Sequence, residues 1–419
     1  MTRDFWRGKK VFVTGNTGFK GSWLSLWLAH VGARVQGYSL KPPTKPSLFE
    51  LAKVGEVVPT IEGDIRDLPR LSAEMAKFGP DIVLHLAAQT VVLSAYEDPI
   101  ETFSTNVVGT ASVFESVKRL PGKCTVVNIT TDKVYENVHW VWGYRENDRL
   151  GGRDPYSASK AGAEMVAHAY RESFFGPQAD GTHRIAMANA RAGNVIGGGD
   201  WTPHQLIPDT VQAMIKGQQV VLRHPTATRP WQHVLDCLNG YLTLAEALHG
   251  NPHKFASNWN FGPPDEQAQP VARVVEMLAG HWGVQYPWRK HSEQHAHEDM
   301  ALLLNWQKAR AELGWYCRLP LAQALEWIAS WYKRQHAGES ARALCHEQID
   351  RYMRVLADLA IGIEGARSIA HQTAGGSGVA PGIDHRHAMV RGQCDQLLAV
   401  EEEEPGLITP RPSSTKMSS

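Results

Sequence analysis

The sequence predicts an α/β protein, a doubly wound parallel sheet with a smaller second domain interleaved toward the C-terminal half. Three observations carry that expectation. From Lys10 to Asn194 short apolar runs alternate with amphipathic stretches, the texture of repeated βαβ units. A glycine-rich turn, VTGNTGFKG, separates the first apolar run from the first helical stretch. After Trp201 the texture changes, and helical patterns become separated by Pro- and Arg-rich loops.

Taken in order, KKVFVTG reads as the first strand and FKGSWLSLWLAHVG as the first helix, closing near Gly32. ARVQGYSL, VVPTIEGD, DIVLHLAAQ and CTVVNITT read as further strands, and HRIAMANARAGN as another that runs into the loop GNVIGGGDW. PIETFSTNVVGTASVFESVKRL and DPYSASKAGAEMVAHAYRESFF read as helices, the second with Pro155 suited to a first turn. In the second half LIPDTVQAMIKG, VLDCLNGYLTLAEALHG and VARVVEMLAGHWG are helical, and LAQALEWIASWYKRQHAG and ESARALCHEQIDRYMRVLADLA finish the fold. The expected organisation is a nucleotide-binding domain over 1–190, to which later segments return, and a mainly substrate-binding domain over 191–361. Residues 362–419 are rich in Gly, Ala, Ser and Pro and contain EEEEP; such a segment buries little surface and reads as a disordered tail.

With 419 residues the chain can bury a large core. Lys plus Arg equals Asp plus Glu at 43 each, so no net field draws nucleic acid or an anionic membrane. An anionic ligand must be gripped by a local cluster. The five cysteines are scattered without a CxxC, which argues against a disulfide framework or a zinc site; Cys124, opening an apolar run, reads as a core residue. HSEQHAHED has metal-like histidine density but no second cluster to complete a site, so it reads as a loop and no metal is expected. No apolar run reaches the ~18 residues of a membrane span, and a cytoplasmic protein is expected.

Gly15, Gly18 and Gly21 give the turn after the first strand a GxxGxxG spacing. The first glycine permits a tight turn, the second lets backbone approach a pyrophosphate, and the third seats the helix close to the sheet with its positive end toward phosphate. That is a dinucleotide site on a Rossmann-type sheet. An acid for the adenosine ribose is expected at the end of the second strand, where QGYSLKPPT offers Tyr38, Ser39 and Lys41 instead. NAD and NADP stay open on this feature. Asp64, after the third strand, either faces the adenine or caps a helix, a role that suits Asp67 better.

Tyr156 and Lys160, in DPYSASK, stand about one helical turn apart and share a face. A phenol with a pKa near 10 is a poor base at neutral pH, but a nearby ammonium and a cationic nicotinamide ring favour its phenolate. Such a pair takes the proton of a sugar hydroxyl while hydride leaves for NAD. Asp132 and Lys133 follow the strand CTVVNITT directly. They are either a surface ion pair or an acid–base couple.

With these motifs in place the chain resembles the extended short-chain dehydrogenase/reductase family. TGNTGFKG, GDIRD, HLAAQ, TNVVGT, YSASK and RAGN match that family's pattern in order from residue 9 to about 335. The resemblance implies NAD, contacted by Gly15, Asn16, Gly18, Phe19, Gly21, Asp64, Ile65, Leu86, Ala87, Ala88, Gln89, Asn106, Thr130, Tyr156 and Lys160. Oxidising a hexose at C4 and returning the hydride there gives epimerisation. Eliminating water across C5 and C6 needs an additional base and acid, and nucleotide-sugar 4,6-dehydratases usually place Thr-Asp-Glu after this strand. Here the triplet is Thr131-Asp132-Lys133. With GFKGSWLSLWL, WVWGYREND, RAGNVIGGGDW and RPWQHV, it resembles the branch that acts on CDP-glucose. On that resemblance Asp132 protonates the C6 hydroxyl, and Lys133 is either the C5 base or a cation that stabilises the enolate. Asn16 stands where that branch often has histidine.

For the substrate diphosphate Arg191, Arg223 and above all Arg229 are the candidate grips, since arginine takes phosphate in two bonds. Asn194, Asp200 and Trp201 are expected at the phosphate, sugar or nucleotide. HWVWGYREND either covers the sugar or packs as a surface loop. The resemblance also implies a homodimer or homotetramer joined through the helices near 101–120 and 155–175. The alternatives are an epimerase or other dehydratase of this fold, or a non-catalytic NAD-binding protein.

Overall fold

The computed structural model describes residues 3–178, 181–285, 287–291 and 302–374. Its strands in the first half are β1 (Lys10–Thr14), β2 (Arg34–Ser39), β3 (Thr60–Glu62), β4 (Ile82–His85), β5 (Cys124–Ile129) and β6 (Ile185–Ala192). The second half adds β7 (Asn194–Ile196), β8 (Val220–Leu222), β9 (Thr228–His233), β10 (Asn258–Phe261), β11 (Ala268–Pro270) and β12 (Trp288–Lys290). Seven strands form one parallel sheet in the order β10-β6-β5-β4-β1-β2-β3. β10, which the sequence reading missed, returns from the second half to pair with β6.

Every residue of β4, β5 and β6 is buried, as for central parallel strands covered on both faces. β1 shows how its residues divide between two cores. Val11 and Val13 face a cluster that includes Trp23, Trp27, Leu238 and Trp331. Phe12 faces the opposite cluster with Leu71, Phe114 and Met187. The helices Phe19–His30 and Val234–Gly250 are buried on most of their circumference, which marks them as core helices. On the other face lie Leu68–Phe78, capped by Asp67 through the Arg70 amide, and Pro155–Ser173.

The expected helix from Pro99 is interrupted. Pro99–Phe103 passes through a π-helical turn, Ser104–Val108, before Gly109–Lys118. Single π turns cluster at functional sites, and this one carries Asn106. Two small sheets, β7-β9-β11 and β8-β12, belong to the second half.

The last helix runs Ala341–Ala374 and so continues past residue 362, where the tail was expected to begin. Residues 375–419, with Cys394, and most of the HSEQHAHED segment lie outside the described residues. Among the described residues no helix is long and apolar enough to cross a membrane, and no group of three His, Cys, Asp or Glu is arranged to hold a metal.

Candidate active site

Strand order reverses between β1 and β4, and a cavity of about 630 Å³ opens at the carboxyl ends there, where ligands of open α/β sheets bind. Its first wall is the glycine turn. Gly15 has φ +73°, and a Cβ on it would stand 2.6 Å from the Ala87 nitrogen. Only glycine permits both the conformation and that approach. A Cβ on Gly21 would lie 2.1 Å from the Gly15 carbonyl oxygen, so the helix sits directly on the turn. Gly18 caps the helix Phe19–His30 without a side chain over its first turn, and the unpartnered amides there make an anion site. This cradle, in a cavity also lined by Phe19, Asp64, Ile65 and Leu86 to Gln89, fits a dinucleotide.

Two residues expected at the cofactor act from behind it instead. The Asn16 side chain is fully buried, donates to Thr60 Oγ1 at 2.8 Å and lies under Gly37; it faces the sheet, not the cavity. Asn106 does not line the cavity either. Its amide donates to the Gln89 carbonyl at 3.0 Å and to Ser159 Oγ at 2.8 Å, and its Oδ1 accepts from the Gln89 amide at 2.9 Å. It braces the loop after β4 against the Tyr156 helix. Asp64 lines the cavity, but its carboxylate is held by the guanidinium and the backbone amide of Arg66, which keep it below the usual range.

The reacting groups converge from β5 and the helix Pro155–Ser173. Lys160 is buried and its Nζ donates to the Ile129 carbonyl at 3.0 Å. Burial, and then the nearby Lys20 ammonium, bring it down to about 8, against the opposing pull of Glu164. Tyr156 is nearly buried, and that burial raises its phenol above 10, opposed by a hydrogen bond with Thr131. Formation of the phenolate therefore depends on added positive charge in the cavity.

Asp132 is 4% exposed and accepts from the Thr131 hydroxyl at 2.8 Å. Burial raises its carboxyl, with Lys133 the leading opposing influence. Burial thus shifts the balance toward the neutral acid, the form a proton donor needs. Lys133 is half-buried and lines the cavity with Asp132, and the described residues show no ion pair between them. Gly193 makes room here, since a Cβ on it would stand 3.2 Å from Asp132 Oδ2. Thr130 also lines the cavity, and its hydroxyl donates inward to Glu164 at 2.5 Å.

Of the substrate candidates, Asn194 and Asp200 line the cavity. Burial pushes Asp200 up to about 6. Arg191 does not line the cavity. It is fully buried, bonded through Nε and Nη2 to Glu164, and through Nη1 to the Tyr135 hydroxyl at 2.6 Å and the Glu146 carbonyl at 3.0 Å. Four of its five N–H groups are thus engaged inside the protein, which leaves little for a phosphate. Trp201 packs edge-on against Tyr332 and does not line the cavity. Arg229 lies behind Asp132, close enough to pull its carboxyl down, and Arg223 is exposed near Asp209. Neither arginine lines the cavity. In the loop 139–148, Trp140 packs on Tyr144 at 5.1 Å and on Trp142 at 6.0 Å, and none of these residues lines the cavity.

The sequence reading missed His85. It is buried between Thr14 Oγ1 at 2.7 Å and Thr110 Oγ1 at 3.0 Å, and burial brings it down to about 3, so it is neutral and locks β1 to β4 beneath the cavity. A histidine inside an apolar strand run was the available signal.

The chain matches a family model described as GDP-mannose 4,6 dehydratase over residues 12–327. It is 49% identical over 353 residues to a CDP-glucose 4,6-dehydratase of Salmonella typhimurium, an alignment covering 84% of this chain and 98% of the relative. A dTDP-glucose 4,6-dehydratase of Streptomyces antibioticus is 27% identical, covering 78% and 93%. Among solved structures, a dTDP-glucose 4,6-dehydratase of Streptomyces venezuelae with NAD and TYD bound superimposes with a TM-score of 0.67 at 24% identity, covering 78% of this chain and 98% of that one. At that identity the likeness speaks for the fold.

Proposed function

The chain belongs to the GDP-mannose 4,6 dehydratase family and is a nucleotide-sugar 4,6-dehydratase, and from that premise we propose that it converts CDP-glucose to CDP-4-keto-6-deoxyglucose with bound NAD. The observation that carries this reading is Asp132, a buried carboxyl beside Lys133, in the same cavity as Tyr156 and Lys160. An epimerase needs only the latter pair. The 49% identity to a CDP-glucose 4,6-dehydratase supports the choice of nucleotide.

The glycine turn and Lys160 would hold NAD, which would supply the acceptor for the C4 hydride and its return at C6, so none is consumed. Tyr156 takes the proton of the C4 hydroxyl, with Thr131 holding its phenol in place. The C4 ketone acidifies C5–H. Lys133 removes that proton or steadies the enolate charge, Asp132 protonates the departing C6 hydroxyl, and C5 regains a proton as hydride reaches C6. Asn194 and Asp200 are the substrate-side groups of this reading. Arg229 and Arg223 would serve the diphosphate only by turning toward it.

The assembly is proposed as a homodimer or homotetramer in the cytoplasm. Exposed Ile100, Phe103, Val108 and Met165 support it; they lie on the helix run from Pro99 and on Pro155–Ser173 and offer an apolar face to a second copy.

CDP-glucose deuterated at C4 tests the function by mass spectrometry. Loss of water with deuterium retained at C6 is expected. Unchanged CDP-glucose beside turnover of another nucleotide sugar would move the substrate assignment, and no turnover of any would favour a non-catalytic NAD-binding protein.

A further inference from the structure

One cavity cation is unused by the reaction as derived. Lys20 is the second residue of the helix Phe19–His30 and lines the cavity. A cation is unfavourable at the positive end of a helix, and that first turn contains no acid to offset it. Its Nζ lies 3.5 Å from the Tyr241 hydroxyl and 5.8 Å from that ring's centroid. Tyr241 is fully buried and close enough to Tyr156 and Asp132 to feel both charges. Lys20 in turn is close enough to Lys160, Asp200 and Cys237 to influence each of them. Among the described residues it makes no ion pair. Its ammonium therefore stands beside Lys160 with Asp200 within electrostatic reach but not in contact, at the end of the cavity where the hydroxyl is oxidised.

An oxidised nicotinamide ring is cationic and a reduced one is neutral. A fixed positive charge nearby opposes the first and leaves the second alone. We propose that Lys20, braced on Tyr241, biases the bound cofactor toward its reduced form and so helps draw hydride from the sugar. The step balances. Hydride leaves C4 with both bonding electrons for the ring, the C4 hydroxyl proton passes to Tyr156, and the cavity loses the ring's positive charge. The proposal rests on the NAD-dependent reading above, but not on the identity of the sugar.

The test is the pair of dissociation constants for NAD+ and NADH, measured by calorimetry at pH 7 on the intact protein and on Lys20→Met. Methionine keeps most of the stem and removes the charge. The expected result is a shift of about tenfold in the NADH-over-NAD+ preference toward NAD+, repeated in Lys20→Gln and largely reversed in Lys20→Arg. Equal loss of both affinities would overturn the proposal and make Lys20 a clamp for the cofactor's diphosphate. Unchanged affinities would overturn it in favour of packing. CDP-glucose turnover by the unaltered protein is scored separately, so failure of the substrate assignment and failure of the Lys20 role are distinguishable.

Discussion

Two sets of charged side chains meet near the end of β5 in this protein and are treated in opposite ways. Behind the end of β5, Arg191 and Glu164 pair with each other, and Thr130, Tyr135 and the Glu146 carbonyl add further bonds to the pair. In front, Asp132, Lys133, Lys160 and Lys20 share a cavity without forming an ion pair among the described residues. Glu164 lies one turn beyond Lys160 on the helix and could have paired with it, yet it faces Arg191 instead. The Lys160 ammonium is left with a neutral carbonyl as its partner. Charges that must hold position are paired, and charges that must respond to a proton or a ring are not.

The sharpest way to break this contrast is Asp132→Asn. It should lower dehydration by about a thousandfold without lowering the melting temperature, since burial already disfavours the ionised carboxyl. If activity persists, Asp132 is not the acid. Next in size is Arg191→Met, expected to destabilise the fold by about 3–5 kcal/mol in denaturant titration because it strands the Glu164 carboxylate. Adding Glu164→Gln should recover a large part of that loss. If the single variant instead weakened CDP-glucose binding at unchanged stability, Arg191 would be a substrate grip after all.

A smaller and pH-dependent effect is expected at Asp200. Its carboxyl is raised from 3.8 to about 6, so the folded state holds the proton more tightly than the unfolded one. The ionised form then costs stability, growing as pH rises from about 4 to 6 and complete above that. Asp200→Asn should stabilise by roughly 1–3 kcal/mol at pH 8, with the gain shrinking toward pH 4. A gain that is flat with pH would show that the residue's charge carries no cost.

Much of the responsive half was legible in the sequence because its determinants are local. Gly15, Gly18 and Gly21 stand at fixed offsets on one turn, Tyr156 and Lys160 on one helical turn, and Thr131 to Lys133 follow one strand. The paired half was not legible. Nothing near Arg191 in the chain reveals that Glu164 and Tyr135 surround it, so an arginine after a strand reads as a phosphate grip. The bracing bonds of Asn106 were hidden for a similar reason, since they run to Gln89 and Ser159 across a π turn that no short pattern announces. β10 was overlooked because NWNF is short, and its polar residues bond to the loop after β5.

The bond from Lys160 to the Ile129 carbonyl has a consequence for how this centre tolerates change. A main-chain oxygen is present whatever side chain occupies residue 129, so ordinary substitution cannot delete the anchor of the ammonium. The Arg191–Glu164 pair has no such insurance, because either partner can be lost alone. Over the history of a lineage the responsive lysine can keep its place while neighbouring strand residues drift, whereas the supporting pair can be exchanged only as a couple.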